Sequence, residues 1–380
     1  MKVLCVFGTR PEAIKLAPIV RELSSRPDVD CRICVTGQHR EMLAQVLDLF
    51  DLRPDWNLEL MRPDQDLAYL TGAALSGVNE VLGAFRPDRV IVQGDTTTTF
   101  AGALAAFYHR IPVAHVEAGL RTDNIYSPWP EEVNRRLVTH IADLHFAPTA
   151  RARENLLREG IGRERILVTG NTGIDALLWV SALLDDEPEV RSRFGSMLPD
   201  HFEGKRLILM TGHRRESFDG GLERICSAMA RVASRRDVAV VFPVHRNPNV
   251  RRAVELLRGQ PNVLLIDPVG YPELVFLMKQ CHFVVTDSGG IQEEAPSFGK
   301  PVLVTRDTTE RPEAMELGLA RLVGTDERRL FAEMTALLDD RAAYSRMSRV
   351  ENPYGDGRAS GRIAGLLIIA GAGDRPPKAG

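Results

Sequence analysis

The stretch Val3-Leu-Cys-Val-Phe7-Gly8-Thr9-Arg10-Pro11-Glu12-Ala-Ile-Lys15 decides how the chain folds. Five apolar residues in unbroken succession read as a strand buried on both faces, not as a half-exposed one. Gly8 and Thr9 break the run, and Pro11 suits the first turn of a helix. A buried strand passing at once into a helix is half of a βαβ unit, and the same rhythm recurs along the sequence. Strands are predicted near 3–7, 31–36, 89–93, 112–117, 144–147 and 165–169. The rhythm restarts near 205–210, 237–242, 262–266, 282–286, 300–304 and 320–323. Helical segments follow, as in Pro11–Leu23, Arg40–Phe50, Thr98–His109 and Glu131–Ala142. This alternation predicts an α/β protein with two Rossmann-like, doubly wound parallel-sheet domains facing a cleft.

Length agrees, since 380 residues exceed what one small core organises. Apolar residues at 44% and charged residues at 26% exclude wholesale disorder. The net charge of −3 supplies no basic field for nucleic-acid phosphates, so no nucleic-acid partner is expected. Five cysteines, an odd number in a long chain, argue against a disulfide framework. Cys31 and Cys34 have CxxC spacing but sit i, i+3 on a strand, facing opposite ways, and read as core. With no long apolar window, the sequence predicts a cytoplasmic protein that does not span a membrane.

In doubly wound sheets, ligands bind beyond the carboxyl ends of the strands, so the residues just after each strand carry the chemistry. After the first come Arg10 and Lys15 at a helix N-terminus, an anion site in outline or simply a capped helix with exposed cations. After later strands come Asp95 and Glu117, while Glu131 opens a helix behind Pro128-Trp129-Pro130. Any one of these acids reads equally as a cap or dipole partner. Two of them ending neighbouring strands, with the third capping a nearby helix, read as acid–base machinery. In the second half, His213 follows a strand among cations. Thr286-Asp287-Ser288-Gly289-Gly290 leads a strand into a helix through a small-residue turn able to wrap a phosphate, or serving only as a tight connection. Glu294, one turn further, is placed to accept from ribose hydroxyls. Arg311 adds a cation after the next strand. No motif for NAD, ATP or a metal is present, so no cofactor is expected.

These segments resemble one family closely. GTRPEAIKLAP at 8–18, TGQHREML at 36–43, QGDTTTTFAGALAAF at 93–107, HVEAGLRT at 115–122 and PEEVNR at 130–135 look like the non-hydrolysing UDP-N-acetylglucosamine 2-epimerases. So do TGHRRES at 211–217, PVHRNPNV at 243–250 and TDSGGIQEEAPSFGKPVLVTRDTTERPEA at 286–314. The resemblance spans about residues 1–350. It implies the glycosyltransferase-B fold, with a first domain over 1–170, a second over 171–357, and a C-terminal helix near 358–372 returning to the first. It implies reversible C2 epimerisation of UDP-GlcNAc to UDP-ManNAc, through elimination of UDP to 2-acetamidoglucal and re-addition, supplying ManNAc for surface polysaccharide. Asp95, Glu117 and Glu131 fall on the family's catalytic carboxylates and His213 on its leaving-group partner. Arg10, Lys15, Asp95, Glu117, His213, Ser288, Gly289, Gly290, Glu294 and Arg311 are the substrate-binding positions. A homodimer is implied too. Val269 and Leu274 depart from the Gln and Phe expected near the uracil. Rival readings are an epimerase of a modified UDP-sugar, such as a 2,3-diacetamido uronic acid, hydrolysis after elimination, a glycosyltransferase of the same fold, or a silent nucleotide-sugar sensor.

Overall fold

A computed structural model describes residues 1–37, 40–62, 65–187, 194–212, 214, 219–349 and 352–373. The chain forms two compact units: Met1–Ala176 with the chain from Tyr354 onward, and Leu177–Pro353.

The first unit is built on seven parallel strands: β1 (Lys2–Phe7), β2 (Asp30–Val35), β3 (Trp56–Asn57), β4 (Arg89–Gln93), β5 (Val113–Val116), β6 (Leu144–Ala147) and β7 (Ile166–Val168). Their order across the sheet is β3-β2-β1-β4-β5-β6-β7. The central β1 has no solvent-facing side from Val3 to Phe7, as its unbroken apolar run requires. The two-residue edge strand β3 has no counterpart in the sequence reading, because periodicity needs more residues than it has.

Several of its helices begin where a side chain offers a cap. The helices are α1 (Arg10–Ser24), α2 (Arg40–Leu49), α3 (Leu67–Phe85), α4 (Thr97–Tyr108), α5 (Glu131–Ile141), α6 (Ala150–Arg158) and α7 (Thr172–Asp186). Asp66 accepts from Tyr69 N at 2.7 Å, and Thr96 and Thr149 cap α4 and α6 in the same way. The division between the units falls inside α7. The last helix, Ala359–Gly373, packs against α1. Its first turn is held by Asp175, which accepts from Ala359 N at 3.2 Å, Ser360 N at 2.7 Å and the Ser360 hydroxyl. Burial raises the Asp175 carboxyl, and these donors pull it the other way.

The second unit repeats the plan with six parallel strands: β8 (Arg206–Thr211), β9 (Val238–Pro243), β10 (Val263–Ile266), β11 (Phe283–Thr286), β12 (Val302–Val304) and β13 (Ala320–Leu322). Their order is β10-β9-β8-β11-β12-β13. Each sheet therefore reverses direction of winding once, between β1 and β4 and between β8 and β11. The crevices that doubly wound sheets use for ligands lie at such points. The described cysteines are all unpaired, and Cys34 is buried core as its strand position predicted. No described helix is long and apolar enough to cross a membrane.

Candidate active site

In the first unit the polar groups gather at the β1/β4 reversal. Gly8 leaves β1 where nothing larger fits: a Cβ there would lie 2.1 Å from the Thr36 hydroxyl and 2.6 Å from that of Thr98. This close approach lets α1 start immediately, with Thr9 as its cap and the half-buried Arg10 as its first residue. Across the reversal, β4 ends at Gln93, Gly94 turns the chain and Asp95 stands just before α4.

Asp95 forms an ion pair with Arg135, and Asn134 donates to its backbone carbonyl at 3.0 Å. Arg135 lies one helical turn after Glu131 on α5, so the pair seats the helix that Glu131 opens against the Asp95 turn. Glu117 follows the adjacent strand β5, with φ at +64°. A residue other than glycine in that left-handed region is uncommon and recurs at functional sites. Its carboxylate is nearly buried, contacts the ammonium of Lys15, and accepts from the Asn171 side chain at 2.8 Å. Its other oxygen lies 3.8 Å from where a Cβ on Gly94 would sit. Asp95 and Glu117 are thus neighbours beyond the ends of paired strands.

Beneath them His115 is fully buried, and its Nε2 donates to the Gly94 carbonyl at 2.7 Å. Burial lowers this imidazole to about 4, so it is a neutral support, not an acid.

In the second unit the corresponding groups gather at the β8/β11 reversal. The hydroxyls of Thr211 and Thr286 meet at 2.6 Å across the paired strand ends. Thr286 also accepts from Ser288 N at 2.9 Å, shaping the turn into the short helix Gly289–Glu294. Asp287 accepts from Arg214 N at 2.8 Å. The Arg311 guanidinium lies over the start of that helix, so close that a Cβ on Gly289 would meet it at 2.6 Å. Glu293 at 2.6 Å and Glu310 hold Arg311, and Arg306 in turn holds Glu310 at 2.9 Å. A Cβ on Gly290 would meet the Ser288 hydroxyl at 4.0 Å, an ordinary contact. Glu294 accepts from the Tyr271 hydroxyl at 2.9 Å.

Unit one therefore assembles Arg10, Lys15, Asp95, Glu117 and Glu131, and unit two assembles Ser288, Gly289, Gly290, Glu294 and Arg311. His213 lies outside the described residues. The sequence reading missed Arg135, Asn171, Tyr271 and His115. Arg135 was findable as the i+3 partner of Glu132, and Asn171 as a polar residue three positions beyond a strand. Tyr271 carried no local signal.

Two doubly wound parallel-sheet units of one strand order, each with its polar groups at the winding reversal, define the glycosyltransferase-B class of fold. A glycosyltransferase from Streptomyces nogalater shares the fold at TM-score 0.60 and 20% identity, covering 98% of this chain and 99% of its own. Residues 21–368 match the UDP-N-acetylglucosamine 2-epimerase family. An Escherichia coli K12 UDP-N-acetylglucosamine 2-epimerase is 56% identical over 369 residues, 97% of this chain and 98% of its own. The crystal structure of UDP-GlcNAc 2-epimerase from Neisseria meningitidis, bound to UDP-GlcNAc, superposes at TM-score 0.92 with 47% identity, over 97% of this chain and all of the other. The chain belongs to the UDP-N-acetylglucosamine 2-epimerase family, and it is an enzyme, an epimerase of a nucleotide sugar.

Proposed function

We propose that the enzyme interconverts UDP-GlcNAc and UDP-ManNAc by removing and restoring UDP. The C2 hydrogen of the sugar has no carbonyl beside it, so its simple removal leaves an unstabilised carbanion. When the C2 proton passes to a protein base while the C1–oxygen bond breaks, the electron pair forms a C1=C2 double bond. UDP leaves with the oxygen's electrons, and the neutral alkene 2-acetamidoglucal remains. In the return step the UDP oxygen attacks C1, and an acid delivers a proton to the opposite face of C2. No net oxidation occurs.

The observation that carries this reading is the juxtaposition of Asp95 and Glu117 at paired strand ends, with Glu131 on the helix that Arg135 ties to Asp95. Two faces of one carbon need two proton-transfer groups, and a single carboxylate serves only one face. Among Asp95, Glu117 and Glu131, one takes the proton and another serves the opposite face. Arg10 and Arg311, the amides around Ser288–Gly290 and His213 stabilise the departing pyrophosphate, and Glu294 takes ribose hydroxyls. Lys15, standing against Glu117, sets that carboxylate. The same reading makes the enzyme a cytoplasmic homodimer supplying ManNAc for surface polysaccharide, with dimerisation read by light scattering.

The test is incubation of purified protein with UDP-GlcNAc alone in D₂O. UDP-ManNAc carrying deuterium at C2 is expected. Product without solvent deuterium removes the elimination route.

A further inference from the structure

One fully buried carboxylate at the β1/β4 reversal is not used by the proposed chemistry. Glu12 is fully buried, on the first turn of α1. Its Oε2 accepts from Gly8 N at 3.1 Å, Thr9 N at 2.7 Å and the Thr9 hydroxyl at 2.7 Å. Its Oε1 accepts from the Thr96 hydroxyl at 2.7 Å, with the Thr99 hydroxyl at 3.1 Å. Thr99 gives its proton to the Gln93 carbonyl at 2.6 Å, which leaves Thr96 as the donor to Oε1.

The two oxygens therefore serve two different turns. Oε2 holds the β1–α1 turn, which carries Arg10 and Lys15. Oε1 holds Thr96, which follows Asp95 directly and caps α4 at Thr99 N. A buried carboxylate is costly, and burial raises the Glu12 carboxyl despite its donors. A serine or threonine cap alone would satisfy the start of α1 without that cost.

We infer that Glu12 is a positioning residue for the epimerisation, a buried clasp that fixes the Asp95 turn relative to the Arg10–Lys15 turn. The inference rests on the proposed role of Asp95 and deepens it. Proton transfer needs its donor and acceptor atoms within hydrogen-bond reach, and a misplacement of about 1 Å costs on the order of 100-fold in rate.

Purified full-length Glu12→Ala, Glu12→Gln, Thr96→Val, Thr96→Ser and Asp95→Asn are compared with wild type. The readouts are kcat and KM for UDP-GlcNAc, measured well below each unfolding midpoint. Glu12→Ala is expected to lose about 100-fold in kcat, with KM changed far less. Glu12→Gln keeps an oxygen for the Gly8 and Thr9 amides and recovers part of the loss. Thr96→Val, which removes the hydroxyl and keeps the volume, lowers kcat, and Thr96→Ser restores it. A lowered unfolding midpoint with wild-type kcat in Glu12→Ala would mark Glu12 as merely structural and overturn the inference. If Glu12→Ala does not fold, wild-type kcat in Thr96→Val overturns it instead. An active Asp95→Asn overturns both this inference and the reading beneath it. An inactive Asp95→Asn beside an active Glu12→Ala overturns this inference alone.

Discussion

Asn171 donates its side-chain amide to Glu117 at 2.8 Å, on the same carboxylate oxygen that the Lys15 ammonium contacts. The two residues come from α1 and from the chain beyond β7, and they leave Glu117 little rotational freedom. Asn171→Ala should lower turnover by about 10–100-fold, the rate equivalent of a charge-assisted hydrogen bond worth about 1.5–3 kcal/mol. UDP affinity, measured by calorimetry, should stay near wild type, because Asn171 faces the carboxylate. Loss of UDP binding with turnover intact would reverse that assignment.

Each carboxylate should separate from nucleotide binding. Asp95→Asn, Glu117→Gln and Glu131→Gln keep shape and remove the exchangeable charge, so kcat should fall by about 10²–10⁴-fold. UDP should bind all three variants nearly as well as wild type. Arg10→Ala should do the opposite, weakening UDP by about 1.5–3 kcal/mol.

Arg311 illustrates how a proposed ligand-binding cation is also a folding requirement. It pairs with both buried acids Glu293 and Glu310, the latter shared with Arg306. Arg311→Ala leaves two buried carboxylates short of a partner, and urea unfolding should show a loss of about 3–5 kcal/mol. Arg311→Lys should rescue only part, because an ammonium lacks the fork that meets both acids while lying flat on Gly289.

Stability should decline in mild acid through the neutral histidines. Burial lowers His115 to about 4 and His145 to about 3, below the ordinary imidazole value near 6.5. A group whose folded pKa is depressed binds its proton more readily in the unfolded chain. Stability is therefore lost as pH falls from about 6.5 towards 4, by up to about 1.4 kcal/mol per pH unit for each imidazole. Glu12 and Asp175, both raised by burial, act with the opposite sign nearer the carboxylate range. His145→Leu should flatten the slope of urea midpoint against pH, and an unchanged slope would exclude His145 as a source.

Much of the fold was legible because parallel strands buried on both faces declare themselves as apolar runs, and helices declare their caps. Among the described residues, every strand but the two-residue β3 lies where the sequence predicts one. The site was legible in part for a related reason. Ligand-facing residues follow strands directly, so Asp95, Glu117 and Ser288 could be picked out from their places after apolar runs.

Sequence alone thus determined the two doubly wound halves, the acids and cations at strand ends and, through its motifs, the family. Tertiary structure decided which charge meets which: Asp95 with Arg135, Glu117 with Lys15 and Asn171, Arg311 with Glu293, and Glu12 with Thr96. The physical reason is range. Hydrophobic periodicity and helix capping act over a few residues and are written locally. A buried carboxylate is satisfied by donors that strand order brings from far along the chain, 84 residues away for Glu12 and Thr96 and 102 for Lys15 and Glu117. That order is a property of the sheet, and no local window contains it.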